Sequence, residues 1–403
     1  MKTLPLLLFL IPTFAWSAPY NRYTPPSPKQ VVEETPPPPV ITPPVSPMPT
    51  NRYDITFEGD FLWWTATVTN LSYATKYEVI PVENVPPQPN STTQVDKIYE
   101  HDWDWSAGVR AALGLNTTHD GWDLTTDWTY FSNSFNAEEK VHSPINTFFT
   151  EEANPIGTQL LSNAFSNFSV ADSMATKIVA EGGFQMNQID LELGRNFWIS
   201  PRLKLRPYGG ARAHFSHLDF RSRKTFEGNG NSTLVGFAEW NDRQKQKFWG
   251  VGILGGIDTS WNLYKALHIF GAGSFSLAYG PFKNTTTFKT IIRNANRSAI
   301  LHQGDHKRLH DQIWTMQRTL DLSLGLRLEN TWVNPQFQET FRMILDLGWE
   351  MHLYPGYNHL DQTASDRSNF SNNSTLSTPM AYYLPCRGNL TLSGLVFRGR
   401  FEF

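Results

Sequence analysis

The chain has 403 residues, 34 Lys and Arg against 37 Asp and Glu, a formal net charge of −3 and one cysteine, Cys386. This slight acidic excess argues against nucleic-acid binding, which shows a basic footprint, and a lone cysteine excludes an internal disulfide. A mean hydropathy of −0.39 reads as soluble, yet it does not exclude a transmembrane barrel, in which half of each strand faces a polar interior.

The first residues, "MKTLPLLLFLIPTFAWSAPY", combine a positive Lys2, an apolar run from Leu4 to Phe14 and small residues at Ala15 and Ser17. This pattern predicts a secretory signal peptide over 1–17. No later run reaches the ~18 apolar residues a spanning helix needs; the best, "FWGVGILGGI", stops before Asp258. Residues 18–50 are dominated by proline and predict an extended spacer with no core of its own. A docking segment for a cell-wall or periplasmic partner is the alternative.

From Asn51 onward, period-two segments recur. Ile55, Phe57, Phe61 and Trp63 share one face, with Thr56, Glu58 and Asp60 on the other. Trp103, Trp105, Ala107, Val109, Ala111, Leu113 and Leu115 oppose Asp102, Asp104, Ser106 and Arg110. Similar patterns follow around Trp122, Ile189, Trp249, Leu320 and Leu345. The chain ends on another, with Leu395, Phe397, Phe401 and Phe403 alternating with Arg398, Arg400 and Glu402. An apolar face outside and a charged face inside is the signature of a transmembrane antiparallel β-barrel.

The connections are unequal. Short turn-type segments at Asn116–Asp120, Ser200–Pro201, Asn262–Lys265 and Val333–Gln336 alternate with long polar stretches near 80–97, 136–175, 225–245, 284–311 and 355–388. Outer-membrane barrels have short periplasmic turns and long extracellular loops. The alternation predicts ten strands with both ends on the periplasmic side; a hairpin hidden in 136–175 would make twelve. The segment 53–79 is read as one strand, or as a strand with a disordered top, and "PIGTQLLSNAFSNF" as a candidate short helix. Trp122, Trp198, Trp261 and Trp332 lie near the short turns, where an interfacial aromatic girdle belongs.

Two stretches carry a family resemblance. "FEGDFLWWTATVTNLSYA" resembles the first strand, and "WSAGVRAALGLNTTHDGWDLTTDWTYFSN" the second and third strands, of the Legionella-type major outer-membrane protein family, which includes proteins of Chlamydia-related bacteria. The resemblance implies a pore-forming, surface-exposed outer-membrane protein with no catalytic residues. With only Cys386, the chain departs from the cysteine-rich chlamydial envelope proteins. Leu395, Phe397, Phe401 and Phe403 resemble the terminal signal that barrel-assembly machinery recognises.

The expected site is the lumen. Its lining is read as Asp104, Arg110, Asp123, Asp127, Asp190, Glu192, Arg206, Arg212, Asp258, Asp321, Arg327, Glu329, Arg342, Asp346, Glu350, Arg398 and Arg400. Fixed charges of both signs in a polar path suit passive diffusion of small hydrophilic solutes and ions through a porin-like channel. Packing of the same side chains into a closed lumen is the alternative, since narrow barrels are filled, and it would leave a structural or adhesive surface protein. A rim-active barrel enzyme is the third reading, with His101, Asp102, Asp104, His302, Asp305, His306 and His310 as its only candidates. Their spacing demands no metal, and no cofactor is expected. The expected partners are the lipid bilayer of the bacterial outer membrane, barrel-assembly machinery and further copies of the chain.

Overall fold

In a computed structural model of the chain, the described residues are 53–81, 91–117, 121–141, 159–162, 175–227, 236–294, 296–333, 340–360, 362–365, 381–384 and 387–403. The expected signal peptide over 1–17, the proline-rich segment over 18–50 and Cys386 lie outside them.

Sixteen strands are formed among these residues. They are β1 (Tyr53–Val68), β2 (Ala74–Pro81), β3 (Ser91–Tyr99), β4 (Ser106–Thr117), β5 (Trp122–Lys140), β6 (Gln159–Ser162), β7 (Lys177–Arg195) and β8 (Phe197–Ser200). They continue as β9 (Leu203–Glu227), β10 (Phe237–Tyr264), β11 (Leu267–Arg293), β12 (Ile300–Val333), β13 (Thr340–Asn358), β14 (Gln362–Ser365), β15 (Ala381–Leu384) and β16 (Gly388–Glu402). Ten of them close into an antiparallel barrel in the order β10-β11-β12-β13-β16-β1-β4-β5-β7-β9, with β9 pairing back to β10. The short β8 prolongs β7 beyond Asn196 and pairs only with β9.

Closure depends on the chain ends. β1 pairs with β16 from Thr56↔Glu402 to Val68↔Leu390. At the very end, the Ile55 amide donates to the Phe403 carbonyl at 2.9 Å, and the Phe403 amide donates back at 3.1 Å. From Trp249 the register runs through Phe215, Asn187, Tyr130, Val109, Phe61, Phe397, Leu347, Leu326 and Ile269 and returns to β10 at Trp261. That offset of twelve residues is the shear, and it obliges the strands to tilt.

The alternating pattern has its cause here. Outward positions such as Phe61, Val109, Leu191, Ile253, Leu324 and Phe397 stay exposed, whereas Asp60, Asp190, Arg212 and Asp346 on the other face are buried. On β10, Trp249 and Trp261 bracket exposed Val251, Ile253 and Ile257. Twelve residues separate the two tryptophans, close to the ~9–11 that a tilted strand needs to cross hydrocarbon. Trp122 and Trp332 are likewise outward near the short turns, and Trp198 is half-buried.

Several expectations are corrected. β9 runs 25 residues, β10 28, β11 27 and β12 34. The polar stretches 225–245 and 284–311 are therefore largely strand, extending the sheet well past the apolar band. They read as loops because both faces carry polar residues there. Backbone pairing holds them as strand, to neighbours on both sides in β10 and β11 and to β11 alone in residues 300–311 of β12. The segment 53–79 is two strands, since β1 stops at Val68 and Asn70 turns the chain with φ 57°. β2 then joins a separate sheet in the order β3-β2-β6. β6 is the described part of the candidate helix, and it is strand. β14 and β15 pair as a small hairpin within 355–388.

Candidate functional site: the barrel lumen

Sixteen of the seventeen candidate lining residues face the interior, Asp104 being the exception. It is exposed and precedes β4. Residues 101–105 are not strand, so alternation does not extend through them, and Trp103 is buried while Asp104 points out. Backbone contacts hold this turn: the Asp104 amide donates to Ser134 at 3.2 Å, and its carbonyl accepts from the Asn133 side chain at 2.8 Å.

The half of the lumen nearer the short turns is a lattice of ion pairs. Arg110 on β4 contacts Asp60 on β1 at 2.9 Å and Glu350 on β13 at 3.0 Å. Arg398 on β16 reaches Asp60 at 3.2 Å and Glu58 at 3.1 Å, and Arg400 pairs with Glu58. Arg206 on β9 gathers Asp123 at 2.7 Å, Glu192 at 2.9 Å and Asp258 at 2.8 Å. Arg212 grips Asp190 through two nitrogens, at 2.8 and 2.7 Å, and reaches Asp321 on β12 at 2.7 Å. Arg327 binds Asp346 bidentately at 2.8 and 2.9 Å, and Arg342 joins Glu329 to Glu402. Each expected lumen arginine thus has at least one carboxylate. A buried charge that lost its partner would be strongly destabilising, so these pairs come as a set.

Among them lies a polar cavity of about 180 Å³, bordered by Asp127, Glu192, Lys204, Arg206, Tyr208 and Asp258. Asp127 faces Asp190 across the β5–β7 register. Four important participants are absent from the expected lining: Glu58, Asp60, Glu402 and His352. The alternation does put Glu58 and Asp60 on the inner face of β1, and His352 two residues from Glu350, so the parity signal reaches them. His352 bonds Asp321 through Nδ1 at 2.8 Å.

The other half, toward the long connections, is filled by apolar side chains. Trp64, Phe131, Phe184, Phe220, Phe282, Tyr354 and Tyr357 are each no more than 1% exposed. β7 and β13 stand five places apart in a ring of ten, and so lie diametrically opposite. The Tyr354 hydroxyl on β13 nevertheless reaches Met186 Sδ on β7 at 3.3 Å. Phe184 on β7 meets Tyr357 edge-on, with ring centroids 5.9 Å apart, and the Tyr357 hydroxyl donates to Ser216 Oγ on β9 at 2.7 Å. Side chains therefore span the whole diameter.

The expected rim histidines and acids do not converge. His101 is buried and stacks on Phe135 at 3.8 Å, whereas Asp102 and His302 are exposed. The side chains of Asp305, His306 and His310 lie outside the described residues. Among the described residues no three His, Cys, Asp or Glu side chains are grouped to hold a metal.

Comparisons with solved structures return outer-membrane barrels. The Escherichia coli outer membrane protease OmpT shares 11% identity, with a TM-score of 0.38 over 87% of this chain and 96% of that one. A Pseudomonas aeruginosa FadL homologue shares 6% identity at a TM-score of 0.22, covering 88% of this chain and 90% of its own. The Pseudomonas putida toluene transporter TodX shares 9% at 0.26, over 86% and 89%. No curated protein sequence matches. Residues 45–403 match the family described as Legionella pneumophila major outer membrane protein precursor. The chain is a bacterial outer-membrane β-barrel and belongs to that major outer membrane protein family.

Proposed function

We propose that the chain is a surface barrel with a closed lumen, serving a structural or adhesive role in the outer membrane. The observation that carries this reading is the contact between opposite walls, from Tyr354 to Met186 and from Phe184 to Tyr357. A diffusing solute would have to displace that apolar layer and part of the ion-pair lattice beneath it. The reading gives the lumen no catalytic role. It places function on the external surface, where the β3-β2-β6 sheet exposes Val95 and Ile98 to solvent.

The porin-like channel is the second reading, favoured by the polar cavity and its mixture of charges. Single-channel recording on the refolded chain in a planar bilayer separates the two. The closed-lumen reading expects silence from protein whose folding is verified by its heat-modifiable mobility on gels. Reproducible unit conductance steps would overturn it in favour of a diffusion channel, and reversal potentials in a salt gradient would then give the selectivity.

A further inference from the structure

The outward face of β9–β11 changes character abruptly at the external end of the apolar band. Trp249 and Tyr279 are exposed there beside Trp314 of β12, with Trp249 6.2 Å and Tyr279 5.6 Å from the Trp314 ring. Such rings mark the level of lipid headgroups. Two residues further out on β10 comes Lys247, and directly opposite it in the β10–β11 register comes Lys283. Both are exposed. Lys245 follows on the same face of β10.

Like charges directly opposite each other on paired strands repel, and this pair is given no internal counter-charge. Neither Lys247 nor Lys283 forms an ion pair among the described residues. The opposite neighbour of Lys247 on β9 is His217, not an acid. The nearest acid in register, Asp219, is already held by Arg243 at 2.5 Å. The expected lumen arginines follow a different rule, since each of them is paired with a carboxylate. A repelling, solvent-facing lysine pair immediately above an aromatic girdle is a complement for an anion fixed at headgroup height.

We propose that Lys247 and Lys283, supported by Lys245, bind a phosphate of a phosphorylated glycolipid in the outer leaflet, with its acyl chains lying against Trp249, Tyr279 and Val251. Phosphate between two ammonium groups turns the repulsion into two charge-assisted contacts. The aromatic girdle below supplies the apolar contact that a soluble phosphate would not need.

The test uses the full mature chain in phosphatidylcholine nanodiscs doped with diphosphoryl lipid A or, separately, with phosphatidylglycerol. Native mass spectrometry after detergent extraction reads the lipid retained. The wild type is expected to retain lipid A in preference to phosphatidylcholine. The Lys247→Gln/Lys283→Gln double variant is expected to retain it about thirtyfold less, from the usual worth of two lysines at an anionic surface. Lys265→Gln, at the opposite end of the barrel, is expected to behave as wild type. Heat-modifiable mobility verifies folding of each variant. Unchanged retention by the double variant, or equal retention of lipid A and phosphatidylcholine by the wild type, overturns the proposal. Displacement of lipid A by an equal concentration of inorganic phosphate would overturn the headgroup as the source, as would equal retention of phosphatidylglycerol.

Discussion

At the scale of single residues, burial sets the properties of the outer cap. His101 precedes β4 on the external side, packed against Phe135 and 5.5 Å from the Trp103 ring. Burial, opposed weakly by the Leu71 backbone and the Asp102 carboxylate, pushes its pKa down to about 4. The unfolded chain therefore binds a proton that the folded chain refuses between pH 6.5 and about 4. Stability falls as pH drops through that window, by an amount on the order of 3 kcal/mol at most. Thermal melts in detergent should show a lower midpoint at the acid end. His101→Phe, which keeps the stacking without the proton site, should flatten that dependence. An identical pH profile in the variant would mean that another group carries it.

At the scale of elements, the length of the strands is the main departure from the sequence pattern. Arg243 and Lys245 read as loop residues and Lys247 follows them, yet β10 pairs with β9 on one side and β11 on the other throughout that stretch. Trypsin needs a locally extended, unpaired backbone. Limited digestion of the folded protein should therefore spare these three positions, and mass mapping of the fragments checks it. Early cleavage there would restore the loop assignment. Alternation was readable in β1, β4, β5, β7, β10, β12, β13 and β16 because one face of each meets lipid. Where a strand leaves the apolar band, polar residues occupy both faces and the pattern loses its contrast. That is why 225–245 and 284–311 read as loops, whereas Trp103 and Asp104 face opposite to the alternation because residues 101–105 are not strand.

At the scale of the whole molecule, the interior of the barrel is also its hydrophobic core. Phe131 is fully buried in the lumen, whereas Phe275 is 48% exposed on the outer face. If the lumen were an open water-filled path, truncating a lumen ring would cost little. With a packed lumen, Phe131→Ala should cost about 3–5 kcal/mol. Phe275→Ala should cost far less in a detergent micelle, which keeps that face apolar. Equilibrium unfolding of the two variants side by side measures the difference, and equal costs would contradict a packed lumen.

The sequence by itself determined the barrel, its ten strands, the side each charged residue faces within a strand, and membership of an outer-membrane family. Each rests on local information: a period of two, turn residues at fixed offsets, and short motifs around Trp63 and Trp122. Only the tertiary structure decided which charges meet and whether the lumen is filled. Arg110 and Glu350 are 240 residues apart in the chain, and Tyr354 and Met186 are 168 apart. Their contact depends on shear, tilt and closure, which arise from the pairing of all ten strands together and leave no mark in any one of them.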